Sequence, residues 1–292
     1  MQRLLVLSGE SRLIDEWLIS QGQEYTFLDQ LADSQRYLVC PDFCLSNEQQ
    51  AYLHQCRIDY ALLPLHHFEE LGLLVSDMDS TFITIECVDE IAATMGIQAQ
   101  VASITEASMR GELDFVASLI ERVALLSGTP IEVLLEIMHH KLILSPGAGF
   151  LLQACRECDV KFALVSGGFT LFTDYLKDQY HLSEVLANHL EIKNGRLTGR
   201  LLGPIVDAAA KAKALEDYAK KLGLNLVQTV AVGDGANDIP LLKRAGFSFA
   251  YHAKQKTRRA ASVQINFSGL DFIRCCFCLL YTSPSPRDQR GS

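Results

Sequence analysis

Two aspartates, Asp77 and Asp79, stand one residue apart at the end of the apolar run Gly72-Leu73-Leu74-Val75-Ser76, with the hydroxyl residues Ser80 and Thr81 straight after them. In an extended chain residues i and i+2 share a side, so if strand geometry carries past Ser76 the two carboxylates point into the same space. Like charges held together need a compensating partner. A divalent cation would supply one, because hard oxygen ligands suit Mg²⁺. A shared proton or an adjacent Lys are the alternatives. On these residues alone, an Asx-rich turn between a strand and a helix accounts for the spacing as well.

Two further apolar runs end in polar clusters. Lys161-Phe162-Ala163-Leu164-Val165 runs into Ser166-Gly167-Gly168, and Thr229-Val230-Ala231-Val232-Gly233 runs into Asp234-Gly235-Ala236-Asn237-Asp238. In an open parallel sheet, ligands bind beyond the carboxyl ends of the strands, so the three clusters would meet at one edge. Asp77, Asp79 and Asp234 would make an oxygen-rich cation site. Ser166 and the N–H groups around Gly167 and Gly168, close to a helix start, would make an anion cradle. Lys211 adds a positive charge from its helix. Ser-Gly-Gly alone reads as a turn, and Lys211 beside Lys213 alone reads as a solvated face. A cation site, an anion cradle and an unpaired carboxylate together describe phosphoryl transfer.

The elements that must position these residues alternate strand and helix. Phe169–Asp178 reads as a helix, His189–Lys193 and Arg196–Leu202 as a hairpin turned by Asn194-Gly195, Ala208–Leu222 as a long helix, and Phe247–Tyr251 as a short strand. This pattern predicts a mostly parallel α/β sheet with helices on both faces. Directly after the first motif the signal turns helical. Val88–Met95, Gln98–Met109, Leu113–Leu126 and Ile131–His140 carry apolar residues at helical spacing, broken at Gly96, Gly111 and Gly128-Thr129-Pro130. Four short helices there predict a compact lid. His139 and His140 close the last of them and suit its dipole, with no metal-binding pattern around them.

Residues 1–70 read as a small separate α/β unit. Arg3–Leu7 and Arg36–Cys40 are its strands, Ser11–Gln21 is a helix with Ser11 as its cap, and Ser46–Arg57 is a second helix. No convergent catalytic set lies there, which suggests a regulatory or packing role. At the other end, Cys275-Cys276-Phe277-Cys278 and the Pro-, Ser- and Arg-rich run that follows lack periodicity. Residues 279–292 resemble translated adapter sequence and are expected to be non-native and floppy.

The bulk properties exclude several classes. A chain of 292 residues with 49% hydrophobic and 21% charged residues is an ordinary globular protein. A formal net charge of -9 with no basic run argues against a nucleic-acid surface. No stretch approaches the roughly 18 apolar residues of a membrane span, and the first ten residues are unlike a signal peptide. Nine cysteines without a secretory signal suggest reduced thiols and a cytoplasmic location. Cys155 and Cys158 fall inside a helix with no second pair to complete a metal site, so they are expected to be plain thiols.

The four motifs, Asp77-x-Asp79-x-Thr81, Ser166-Gly167-Gly168, Lys211 and Gly233-Asp234-Gly235-x-Asn237-Asp238, together resemble those of the haloacid dehalogenase superfamily, and the helical insert resembles its small cap. Glu86, the run Met109-Arg110-Gly111-Glu112-Leu113-Asp114-Phe115, and Arg122-Val123 narrow the likeness to the phosphoserine-hydrolysing branch, over roughly residues 71–268. The resemblance implies a Rossmann-like core at 71–85 and 159–274 and a helical cap at 86–158. It implies Asp77 as nucleophile, Asp79 as general acid and base, and Mg²⁺ held by Asp77, the Asp79 carbonyl and Asp234. Ser166, Gly167, Lys211 and Asn237 would bind the phosphoryl group. Glu86 would take the substrate ammonium and Arg122 its carboxylate, with Phe115 closing the pocket. The implied reaction is hydrolysis of O-phospho-L-serine, the last step of serine biosynthesis, with turnover of another small phosphomonoester, or phosphotransfer, as the alternative. Neither nucleic acid nor membrane is an implied partner, and the oligomeric state is open, a homodimer included.

Overall fold

A computed structural model describes residues 2–21, 26–27, 35–41 and 44–277. In chain order the elements are β1 (Gln2–Ser8), α1 (Ser11–Ser20), β2 (Thr26–Phe27), β3 (Gln35–Pro41), α2 (Asn47–Gln55), β4 (Asp59–Pro64), β5 (Leu73–Ser76), α3 (Cys87–Thr94), α4 (Gln98–Met109), α5 (Phe115–Leu125), α6 (Ile131–His140), α7 (Ala148–Glu157) and β6 (Lys161–Phe169). They continue as α8 (Thr170–Tyr180), β7 (Glu184–Lys193), β8 (Arg196–Leu202), α9 (Ala208–Lys221), β9 (Thr229–Gly233), α10 (Ile239–Arg244), β10 (Phe247–Tyr251), α11 (Gln255–Arg258), β11 (Val263–Ile265) and α12 (Asp271–Cys275).

The principal sheet has seven strands in the order β11-β10-β9-β5-β6-β7-β8, parallel throughout except for the β7–β8 hairpin. Asn194 (φ 52°) and Gly195 (φ 72°) turn that hairpin through the left-handed region, which is why Asn-Gly stands there. The alternation of β5 buries both faces. Leu73 and Val75 pack with Ala214 and Leu215 of α9 and Leu241 and Leu242 of α10, while Leu74 joins the larger core with Leu151, Leu152, Phe172 and Leu176 of α7 and α8. From central β5 the chain goes to β6 on one side and later returns as β9 on the other, so a crevice opens at the carboxyl end of β5.

Helices α3–α6 are inserted between β5 and β6. The insert is tied to the hairpin by Gly128 N–H to Leu197 C=O (2.8 Å), Leu197 N–H to Thr129 C=O (2.9 Å) and Ile131 N–H to Gly195 C=O (2.9 Å).

The N-terminal strands form an antiparallel sheet, β2-β3-β1-β4. Leu5 and Leu7 face a small core with Ile14, Trp17, Leu18 and Leu53, whereas Leu4 and Val6 face into the larger core. The sheet thus has a core of its own on one face and shares the main one on the other. Strand β4 belongs to no sequence expectation. Ser11 opens α1 as a helical residue, with Glu10 in the cap position, so it is not the predicted cap. Ser46 does cap α2, its Oγ accepting from Gln49 N–H while the Gln49 side chain accepts from Ser46 N–H.

The end of the described chain differs from expectation. Phe277 is 1% exposed, its ring 5.8 Å from Phe68 and 5.0 Å from Phe247, and Cys275 and Cys276 are buried beside it. These residues are core; their composition hid an amphipathic turn too short to show a period. Residues 279–292 lie outside the described residues. Cys155 is buried in α7 and Cys158 ends it, both as thiols, and burial pushes the Cys155 thiol up to about 12.

Candidate active site

Strand geometry does not continue past Ser76. The backbone widens into a turn closed by Ile83 N–H to Met78 C=O (3.0 Å), with Ser80 in the left-handed region at φ 53°. The turn gives Asp77 and Asp79 separate partners. Asp77 Oδ1 accepts from Met78 N–H (2.7 Å) and lies 2.8 Å from Lys211 Nζ. Asp79 Oδ1 accepts from Cys87 N–H (2.8 Å), and its Oδ2 accepts from Ser166 Oγ (3.3 Å). Of the three compensations open to the D-x-D pair, an adjacent Lys is therefore present, and it serves Asp77.

Lys211 is fully buried in the first turns of α9, where Asp207 caps the helix by accepting from Ala210 N–H (2.8 Å). Its ammonium bridges Asp77 and Asp238, the latter at 2.7 Å. Burial alone would lower the Lys211 pKa, but Asp238 and Asp77 outweigh it and the group is held charged.

The oxygens of Asp77, Asp234 and Asp238 lie within 4.8 Å of one another. Burial first, then the charges of Asp238 and Asp234, raise Asp77 well above the usual carboxylate range despite Lys211. Asp234, steadied by a hydrogen bond from Thr81 Oγ1 (2.9 Å), is still raised to about 6 by burial and Asp238. Three carboxylates against one ammonium leave net negative charge in a dry site. That donor set fits a hard divalent cation. The Asp79 carboxylate stands outside the trio, which leaves its backbone carbonyl as the ligand expected of that residue.

Asp79 is also raised, by burial above all, although the Cys87 amide and Ser166 hydroxyl pull the other way. A carboxyl group that keeps its proton longer than usual suits a general acid. Asp77 and Asp79 thus differ in surroundings as well as direction.

Ser166-Gly167-Gly168 is part of β6, not a turn, and it lies close to the start of α8 as expected. Gly168 N–H donates to Ser166 Oγ (2.8 Å), so that amide is already engaged within the predicted cradle. The glycines permit close approach. A Cβ at Gly168 would lie 2.6 Å from Asp79 Oδ2, and one at Gly167 would lie 2.9 Å from Phe115 Cζ. Phe115, the first residue of α5, therefore sits directly on the Ser-Gly-Gly segment.

Glu86 lies at the solvent-exposed mouth beside Ser80, whose Oγ donates to its Oε1 (2.7 Å). Water reaches the residue, yet the surrounding protein, then the charge of Asp79, push its carboxyl up to about 7. Arg122 on α5 is half-buried, with Nε donating to Ser118 C=O (3.3 Å). Burial lowers its pKa, while Asp89, Glu86 and Asp79 oppose the shift. Asn237 turns back over Gly235, where an added Cβ would lie 2.1 Å from its Oδ1.

Two residues at the site carry no role in the sequence reading. Asp238 stood in the quoted run but gave no sign that it would share Lys211. Asn188 lies in a hairpin strand and carries no motif signal at all.

The haloacid dehalogenase-like hydrolase family model matches residues 74–243. A phosphoserine phosphatase of Polaromonas sp. is 48% identical over 207 residues, covering 69% of this chain and 88% of its own. The structure of a probable phosphoserine phosphatase from Vibrio cholerae, in unliganded form, superposes with a TM-score of 0.81 at 36% identity, covering 94% of this chain and 85% of that one. A structure described as a phospho-aspartyl intermediate analogue of phosphoserine phosphatase superposes with a TM-score of 0.67 at 36% identity, covering 71% and 99%.

Proposed function

The chain belongs to the haloacid dehalogenase-like hydrolase family, and from that premise we propose that it is a Mg²⁺-dependent phosphoserine phosphatase working through an aspartyl-phosphate on Asp77. It is a phosphoric monoester hydrolase, and it converts O-phospho-L-serine and water to L-serine and phosphate. The observation that carries the mechanism is the sealed Asp77–Lys211–Asp238 chain beside an Asp79 with partners and a protonation tendency of its own.

Both named contacts of Asp77 fall on Oδ1, which leaves Oδ2 available for attack. A bond forms from Asp77 to phosphorus as the bond to the serine oxygen breaks, and Asp79 gives its proton to that departing oxygen. Asp79, now a carboxylate, then takes a proton from the water whose oxygen attacks phosphorus. The Asp77–phosphorus bond breaks, and the free carboxylate returns. A relative captured as a phospho-aspartyl analogue supports this course.

Asp77, Asp234 and the Asp79 carbonyl would hold Mg²⁺, with Asp238 alongside. The metal would supply positive charge against the phosphoryl oxygens. Ser166, the Gly167 amide, Lys211 and Asn237 would bind those oxygens. Glu86 and Arg122 would take the ammonium and carboxylate of serine, a zwitterion that asks for one acid and one base. Phe115, seated on Gly167, would cover the pocket.

This reading assigns every catalytic and binding role to residues of a single chain. A cytoplasmic setting accompanies it. Cys87, Cys155 and Cys158 are thiols, and among the described residues no helix is long and apolar enough to cross a membrane.

The test is phosphate release from O-phospho-L-serine with Mg²⁺ and with EDTA, for the native chain and Asp77→Asn. Metal-dependent release abolished by the substitution is expected. Equal turnover of phosphomonoesters lacking the amino group would remove the Glu86 and Arg122 assignments, and a folded native chain that releases no phosphate from phosphoserine would remove the substrate.

A further inference from the structure

We infer that Asn188 is a positioning residue that clamps the two arms of the phosphoryl-binding site to each other. The inference rests on the phosphatase reading above. Asn188 is 1% exposed, and both ends of its amide are used. Nδ2 donates to the Gly167 carbonyl (2.8 Å), and Oδ1 accepts from Val206 N–H (2.8 Å).

The two backbone groups belong to different arms. Gly167 follows Ser166, whose hydroxyl reaches Asp79. Val206 precedes Asp207, the cap of α9, and Lys211 N–H donates to Asp207 C=O (3.0 Å) one turn on. Displacing Val206 therefore displaces the first turn of the helix that holds Lys211.

The need for the clamp comes from the sheet. The β6–β7 ladder pairs Val165 with Leu186 and resumes at Phe169 with Asn188, four steps on β6 against two on β7. The extra residues bulge toward the site and take Gly167 out of the ladder. A carbonyl so displaced from the ladder needs a new donor, and Asn188 provides it from the neighbouring strand. Only a side-chain amide offers one donor and one acceptor at this fixed spacing. Ionised aspartate lacks the donor, a buried aspartate that takes a proton regains it, and leucine lacks both.

Ser166 and Lys211 come from segments 45 positions apart in the chain, and Asn188 is the single side chain hydrogen-bonded to the backbone of both arms among the described residues. Without it each arm keeps its own local structure but loses its spacing to the other. Misplacement of about 1 Å at a reacting centre is worth up to roughly a hundredfold in rate.

The experiment compares native chain, Asn188→Leu and Asn188→Ala for kcat on phosphoserine, for affinity toward inorganic phosphate with Mg²⁺, and for Tm. A control with comparable loss of Tm comes from the remote N-terminal core, Leu53→Ala. The leucine variant keeps the side-chain volume and removes both hydrogen bonds, so it carries the test if the alanine variant does not fold. Expected are a fall of about tenfold or more in kcat and about tenfold weaker phosphate binding, with the Leu53 control near native in both. Native-like kcat and phosphate affinity in folded Asn188→Leu or Asn188→Ala, or equal losses in the control, overturn the clamp. A native chain that binds phosphate without hydrolysing phosphoserine would sink the substrate and leave the clamp to the phosphate titration alone.

Discussion

Lys211 Nζ lies 2.8 Å from Asp77 Oδ1 with both side chains sealed from water. A lysine on a helix and an aspartate at a strand end meet in a dry crevice, where Asp238 holds the same ammonium. The arrangement is poor as a source of stability, because desolvating three charges offsets most of their attraction. Its value lies in keeping Asp77 ionised and aimed where burial and two further carboxylates press it toward protonation.

Removing that ammonium should be severe. Lys211→Met keeps the packing volume but leaves Asp77 and Asp238 buried without their counter-charge. We expect a loss of about 3–5 kcal/mol in unfolding free energy and loss of phosphoserine turnover. Urea denaturation with and without Mg²⁺ checks this. A variant as stable as the native chain in the absence of metal would mean that the carboxylates are already neutral and need no partner.

The two glycines of the second motif should respond differently to the same methyl group. At Gly168 it meets the Asp79 carboxylate at 2.6 Å, so Gly168→Ala must shift the general acid. A fall in kcat of about a hundredfold is expected in a folded protein. At Gly167 it meets the tip of the Phe115 ring at 2.9 Å, which can swing aside. Gly167→Ala should act chiefly on KM. Steady-state kinetics of the pair decides, and matching profiles would contradict the separate surroundings of Gly167 and Gly168.

Much of this site was legible because buried parallel strands write themselves as continuous apolar runs, and Leu73–Ser76, Lys161–Val165 and Thr229–Gly233 each end at the crevice. What was not legible depends on contacts remote in sequence. Lys211 looks like its exposed neighbour Lys213 until α9 is packed on the sheet. Asp238 becomes its partner only then. Asn188 has an ordinary strand sequence around it, and its importance comes from a bulge in the neighbouring strand. The turn after Ser76 defeated the alternation argument because the chain turns at Met78, between the two aspartates, where no residue gives a turn signature comparable to Asn-Gly. Strand β4 escaped for another reason: it opens on a charged residue, Asp59, which is buried only by its contacts with residues 266–268, and it closes on Pro64.

Glu86 predicts a pH effect with a definite sign. Its carboxyl titrates near 7, raised by the surrounding protein and by Asp79, and only the ionised form attracts a substrate ammonium. The ratio of kcat/KM for phosphoserine to that for a phosphomonoester without an amino group should therefore rise with pH through about 7. Using the ratio cancels ionisation of the phosphate itself. In Glu86→Gln the rise should vanish and the ratio should stay low. A native ratio that is flat from pH 5.5 to 8.5, a range of roughly 1.5 units either side, would take Glu86 out of substrate recognition.

The last prediction concerns the joint between the N-terminal sheet and the catalytic sheet. Asp59, at the start of β4, is 1% exposed and receives three backbone N–H groups from the segment after β11: Asn266 at 2.8 Å, Phe267 at 2.9 Å and Ser268 at 2.7 Å. Ser268 Oγ also donates to Ser8 Oγ at 3.0 Å. The segment 266–268 is thus an anion cradle filled by a carboxylate from another part of the chain. Asp59→Ala empties it, leaving three oriented donors without their acceptor, and should cost about 1–3 kcal/mol. Asp59→Asn retains the shape and one acceptor oxygen and should cost less. The catalytic residues lie on other strands, so kcat should stay near native in both while the urea midpoint falls in the order native, asparagine, alanine. Because Leu4 and Val6 continue the main core, the loss should appear as one cooperative transition with a shifted midpoint. A separate early transition for the N-terminal residues would show instead that this carboxylate holds on a unit with little other attachment.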